Sequence, residues 1–225
     1  MSGLIPLPGD GSGHLALPPA GRGPGVVVIQ EWWGLNDQIE ETCEDLAARG
    51  FVALAPDLYR GVETAEPDEA AKLMMALDME RAAADIGAAA DTLLARPEVE
   101  GAKVGVMGFC MGGGLALLIA AERGDVIGAA VPFYGVIPWP VPAPDWSRLG
   151  GPVQGHYAEA DASADPAAAA ALEAAIRAAG GEAEFTVHPG TQHAFANHHR
   201  PEVYDPIETA RAMDAATAFL RAALA

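Results

Sequence analysis

Six imidazoles, two thiols and 31 carboxylates are the side chains available for chemistry in this 225-residue sequence. One thiol sits where it could be a nucleophile. Cys110 is the centre of Gly108-Phe109-Cys110-Met111-Gly112. An apolar, β-prone run, Lys103 to Met107, leads into it, and a helix-like run, Leu115 to Ala121, leads away. The pattern predicts a strand, a tight turn and a helix with the sulfur at the apex of the turn. Gly108 and Gly112 stand two residues to either side, where a Cβ would clash as the helix folds back on the strand. Such a turn aims the backbone N–H groups of the helix start at the sulfur. They can stabilise a thiolate and, during acyl transfer, an oxyanion. Over these five residues alone, a buried cysteine in a packing turn would look the same.

A thiol nucleophile needs a base, and the base needs an orienting group. Of the six histidines, His14 lies in the amino-terminal region, His156 within a predicted strand and His188 at a strand end, while His198 and His199 fall in a polar stretch. His193 follows the last predicted strand after Pro189-Gly190, at the carboxyl end where catalytic groups gather in open α/β sheets. It is the predicted base. The orienting acid should come from the preceding strand and loop, which offer Glu159, Asp161 and Asp165. Asp165 precedes Pro166 and suits a helix N-cap. Asp161, mid-loop, is preferred to Glu159 as the group that fixes the imidazole tautomer. Glu31 ends the first long strand, just before Trp32 and Trp33. A carboxylate beside so much apolar surface is either paired or has a raised pKa, and the N–H of Trp32 is placed to be a second oxyanion donor.

The elements that must position these groups alternate along the chain. Strands are predicted at 25–29, 51–55, 103–107, 127–133, 153–157 and 184–187, after a short hairpin or edge strands within 4–24. Helices are predicted from Asp37, as cap, to Arg49, over 69–77, 79–95, 166–179 and 208–224. Residues 136–152, rich in Pro and Trp, read as an irregular surface excursion. Alternation of this kind gives a doubly wound, mostly parallel α/β sheet with helices on both faces, here expected as one domain over residues 1–225. Ile39, Cys43 and Leu46 share one helix face, so Cys43 is a predicted core residue. The two cysteines have no metal-ligand spacing and form no disulfide scaffold, so free thiols in a reducing, cytoplasmic setting are expected. A formal net charge of −18, from 31 acidic and 13 basic residues, argues against nucleic acid and anionic membranes as partners. The first residues lack a basic stretch and a long apolar core, so no leader is predicted.

In order and spacing, six motifs resemble the dienelactone hydrolase family over about residues 25–220. They are Gln30-Glu31-Trp32-Trp33-Gly34-Leu35-Asn36, Ala55-Pro56-Asp57-Leu58-Tyr59, Leu77-Asp78-Met79-Glu80, Gly108-Phe109-Cys110-Met111-Gly112-Gly113, Phe133-Tyr134-Gly135 and His193-Ala194-Phe195. The resemblance implies an α/β-hydrolase fold and a cofactor-free, metal-free Cys-His-Asp triad that opens lactones and esters. It implies Cys110 as nucleophile, His193 as base and Asp161 as its orienting acid. Glu31 would interact with the resting thiol and help form the thiolate when substrate arrives. Trp32 and Met111 would supply the oxyanion N–H groups, and Tyr134, Asn197 and Phe195 would be substrate contacts. In two places the sequence departs from the family. Members acting on dienelactone hold the substrate carboxylate with two arginines, and the corresponding positions here are Asn197 and Pro67. Arg200, Arg81, Arg60 and Lys72 are the cations that could substitute. The expectation is a hydrolase of a small ester or lactone, monomeric or a small homo-oligomer. The alternatives are a general carboxylesterase or thioesterase, and a non-catalytic binding protein on the same scaffold.

Overall fold

The structure, a computed structural model, describes residues 2–135 and 137–225. Met1, and Val136 at the head of the expected excursion, lie outside the described residues. β1 (Ser2–Leu7) and β2 (Gly11–Ala16) form the amino-terminal hairpin, turning through Gly9 and Asp10, both at positive φ. β3 (Gly23–Ile29) follows, and Val26 to Ile29 are completely buried, as a strand covered on both faces requires. α1 (Asp37–Ala48) starts one residue earlier than expected. Its N-cap is Asn36, whose side chain accepts from the Ile39 N–H. Asp37 is the first helical residue, where its charge suits the helix dipole. Ile39, Cys43 and Leu46 form the buried face of α1.

Next come β4 (Val52–Pro56), α2 (Pro67–Met75), α3 (Met79–Leu94), β5 (Val99–Phe109) and α4 (Met111–Glu122). β6 (Ile127–Phe133) precedes the excursion, in which Trp146–Arg148 makes a single 3-10 turn. The chain closes with β7 (Val153–Ala160), α5 (Pro166–Ala178, capped by Asp165), β8 (Ala183–Gln192) and α6 (Pro206–Ala223). The eight strands lie in the order β1-β2-β4-β3-β5-β6-β7-β8. β1 and β2 run antiparallel to their neighbours and all later pairings are parallel. α1 and α6 share one face, joined by an Arg49–Asp214 ion pair of 2.6 Å. α3, α4 and α5 cover the other. Among the described residues, no helix is long and apolar enough to cross a membrane.

The topology puts β5 at the centre of the sheet between β3 and β6. The carboxyl ends of β3, β5, β7 and β8 therefore open on one edge, and they carry Glu31, Cys110, Asp161 and His193 in that order.

His188 is not at a strand end as predicted. β8 continues to Gln192, so His188 lies inside it, buried against His156 of β7 with Nε2 3.1 Å from His156 Nδ1. Its own Nδ1 is 2.9 Å from Glu208 Oε2 on α6. Burial, helped by the neighbouring His188, pulls His156 down from 6.5 to about 3. The unfolded chain thus takes up a proton near pH 6.5 that the folded chain refuses until about pH 3. A depressed folded pKa gives stability that is whole above pH 6.5 and lost as the pH falls through that window, at about 1.4 kcal/mol per pH unit for one proton. Urea unfolding between pH 7 and 5 should show this loss, and His156→Leu should flatten it. An equal slope in the variant would refute the assignment.

Candidate active site

Cys110 caps α4 with φ 53° and ψ −116°, a sparsely populated conformation for a residue with a Cβ. The surroundings hold it there. Its N–H donates to the Phe133 carbonyl at 3.0 Å, and its own carbonyl accepts from Gly113 N at 3.0 Å. A Cβ on Gly108 would overlap the Gly112 carbonyl, and one on Gly112 would overlap the carbonyls of Ile29 and Gln30. Only glycine lets α4 approach β5 and β3 this closely. Of the five described non-glycine residues with positive φ, three border the site: Cys110, Tyr134 at 37° and Ala194 at 68°. Strain of this kind concentrates where function dictates backbone geometry.

His193 Nδ1 lies 2.7 Å from Asp161 Oδ2, and the ring borders the same cavity as Cys110. Asp161 Oδ1 accepts from the N–H groups of Ser163 and Ala164, both at 2.8 Å, so the loop after β7 holds the carboxylate rigidly. Burial raises the Asp161 pKa, but the bond from His193 and these backbone donors outweigh it, and the net shift is downward. Burial also works against a charged His193. It is overcome by the bonds to Asp161 and Cys110, which push the imidazole up to about 10. Glu159, the rejected alternative, instead accepts from Gly190 N on the surface.

Glu31 is buried, with Oε1 accepting from the Tyr134 hydroxyl at 3.2 Å and Oε2 from Asn197 Nδ2 at 2.8 Å. Burial raises its pKa against these two donors and the positive field of His193. Tyr134 is pushed far up by burial and by the Glu31 charge, so it stays a hydroxyl donor. Tyr134 and Asn197 both hold Glu31 by hydrogen bonds, and neither lines the cavity described below. Phe195 is fully buried, packed edge-on to Tyr134 and against His188. Met111, as the first residue of α4, has one of the N–H groups that a helix start leaves unpaired.

Cys110, His193, Glu31 and Trp32 border a cavity of about 520 Å³. Sequence reasoning did not find its far wall, made by Met74, Leu117, Ile137, Pro138, Ala169 and Leu172. Of the four cations considered as substitutes, Arg200 reaches this cavity, its guanidinium 6.0 Å from the Trp33 ring centre and its Nε 2.9 Å from Glu202. Arg60 pairs with Asp85 and Lys72 with Glu69. Arg81 borders a separate hollow beside Pro8. Pro67 is the exposed first residue of α2. Cys43 lies buried in α1, its thiol pushed up by desolvation, which makes it unreactive.

The sequence profile of the dienelactone hydrolase family matches residues 12–224. The chain belongs to the dienelactone hydrolase family. Its membership makes it a hydrolase of ester or lactone bonds, in an α/β-hydrolase fold. Protein usf of Aquifex pyrophilus is 36% identical over 215 residues, covering 93% of this chain and 92% of that one. The carboxymethylenebutenolidase of a Pseudomonas species is 39% identical over 133 residues, 55% of this chain and 54% of that one. A dienelactone hydrolase-like promiscuous phosphotriesterase from metagenomic libraries superposes with a TM-score of 0.87 at 26% identity, over 100% of this chain and 99% of that one.

Proposed function

We propose that this family member opens its lactone or ester through an acyl-enzyme on Cys110. The observation that carries the reading is the Asp161–His193 hydrogen bond beside Cys110 at the wall of an apolar cavity that His193 and Cys110 share. An imidazole pushed up to about 10 is a strong base, and His193 takes the thiol proton as the Cys110 sulfur attacks. The sulfur attacks the carbonyl carbon, and the carbonyl electron pair moves to oxygen. The N–H groups of Trp32 and Met111 receive that oxyanion. As the tetrahedral centre collapses, the C–O bond breaks and the leaving alkoxide takes the proton from His193. His193, now neutral, takes a proton from water, and the resulting hydroxide attacks the thioester. Collapse of this second centre releases the acid, and the departing sulfur takes the proton back from His193. Asp161 keeps the ring oriented throughout and balances its charge.

The cavity also bears on the substrate. Its walls are mostly apolar, and among the described lining residues Arg200 is the one Arg or Lys. A small, largely apolar ester or lactone fits, with any polar or anionic end towards Arg200. Acid-quenched reactions analysed by mass spectrometry test the acyl-enzyme. A lactone should add its whole mass to the peptide carrying Cys110, whereas an ester should add its acyl group alone. Turnover without any adduct under rapid quench, or an adduct elsewhere, would overturn the reading.

A further inference from the structure

On the surface beside the site, Glu41 of α1 meets His198 and His199, which directly follow Asn197 in sequence. His198 Nε2 lies 2.6 Å and His199 Nε2 2.9 Å from the same oxygen, Glu41 Oε2. The three potential ligand atoms all lie within 4.8 Å of one another. We propose that Glu41, His198 and His199 form a binding site for a divalent transition-metal ion of the zinc type, separate from the catalytic cavity.

Several observations support this. The donor set is two imidazole nitrogens and one carboxylate, which suits Zn²⁺ and its neighbours, whereas Ca²⁺ and Mg²⁺ require oxygen-rich shells. Bonds of about 2.0–2.2 Å to a tetrahedral ion place ligand atoms roughly 3.3–3.6 Å apart. The present contacts at 2.6 and 2.9 Å therefore need to open by about 1 Å or less for the ion to replace two hydrogen bonds. The ligands also come from two segments, 157 and 158 residues apart in sequence. The fold, not local sequence, assembles them. All three are solvent-exposed, which leaves coordination positions for water and a path of entry. The formal charge of −18 raises the local cation concentration.

The placement gives the ion a consequence. His199 N–H donates to Asn197 Oδ1 at 3.0 Å, while Asn197 Nδ2 holds Glu31. Arg200, the next residue, borders the cavity. A metal at Glu41, His198 and His199 would therefore staple to α1 the turn that carries Asn197 and Arg200.

The test is calorimetric titration of tag-free protein with Zn²⁺ in a Cys110→Ser background, so that the catalytic thiol does not compete. One ion per chain with micromolar affinity is expected, together with a rise in Tm. Glu41→Gln and His198→Asn should each weaken binding at least tenfold and remove the Tm rise. Titration with Co²⁺ should give a weak visible absorption of nitrogen- and oxygen-ligated metal that the same substitutions abolish. No binding at 100-fold excess of metal, or binding that both substitutions leave unchanged, would overturn the proposal.

Discussion

Cys110→Ala is expected to lower kcat for any ester or lactone substrate by about 10⁴-fold or more, the scale on which nucleophile removal acts elsewhere, while the protein stays folded. The two halves of this expectation have separate causes. Activity is lost because, among the described residues, Cys110 is the one thiol at the cavity; Cys43 is buried in α1 with its thiol pushed up by desolvation. The fold is kept because the elbow is held by backbone contacts. These are the Cys110 N–H to the Phe133 carbonyl, the Gly113 and Gly114 N–H groups to the Cys110 carbonyl, and the close approach of Gly112 to β3. Alanine retains the Cβ already accommodated at φ 53°. Steady-state kinetics with p-nitrophenyl esters and enol-lactones, beside a thermal melt, measure both. Undiminished turnover in a folded variant would refute Cys110 as nucleophile. Full binding of substrate with no turnover in the wild type would favour the binding-protein alternative.

The central strands were readable because burial on both faces leaves continuous β-branched runs, as in Val26 to Ile29. The elbow was readable because its glycines answer a steric demand between backbone segments. What escaped has physical reasons too. Pro189-Gly190 reads as a turn, yet β8 runs through it to Gln192. β8 is the edge of the sheet, and a proline there need not break a ladder bond. Asn36 and Asp37 are equally good caps side by side, and the chain uses the first. α2 begins at Pro67 rather than Glu69 because proline, lacking an N–H, fits a helix's first turn at no cost.

Non-local pairs were invisible in a stronger sense. Nothing local to Asn197 says that its amide reaches Glu31, 166 residues away. The position expected to hold a substrate carboxylate thus holds an internal one, and the cation at the cavity is three residues further on, at Arg200. The same reason hid the far wall. The Ala-rich run of α5 declares a helix by its period, but only packing shows that Ala169 and Leu172 face the reacting thiol's cavity.

Asp161→Asn should cost nearly as much activity as loss of the nucleophile, with less effect on the fold. The asparagine can keep an oxygen towards the N–H groups of Ser163 and Ala164, which preserves the loop. Its amide NH₂ then faces His193 Nδ1, where the carboxylate oxygen stood at 2.7 Å. Two donors cannot face each other, so Nδ1 must become the acceptor and the lone proton moves to Nε2, beside Cys110. The ring can no longer carry a second proton at low cost or take one from water, and kcat should fall by about 10⁴-fold. Stability provides an independent readout. A folded pKa raised to about 10 contributes stability that is whole below pH 6.5 and lost as the pH rises towards 10. Wild-type protein should therefore lose urea resistance between pH 7 and 9.5 by more than Asp161→Asn does. Equal losses in the two proteins, or an unchanged kcat, would show that Asp161 does not hold the charge of His193.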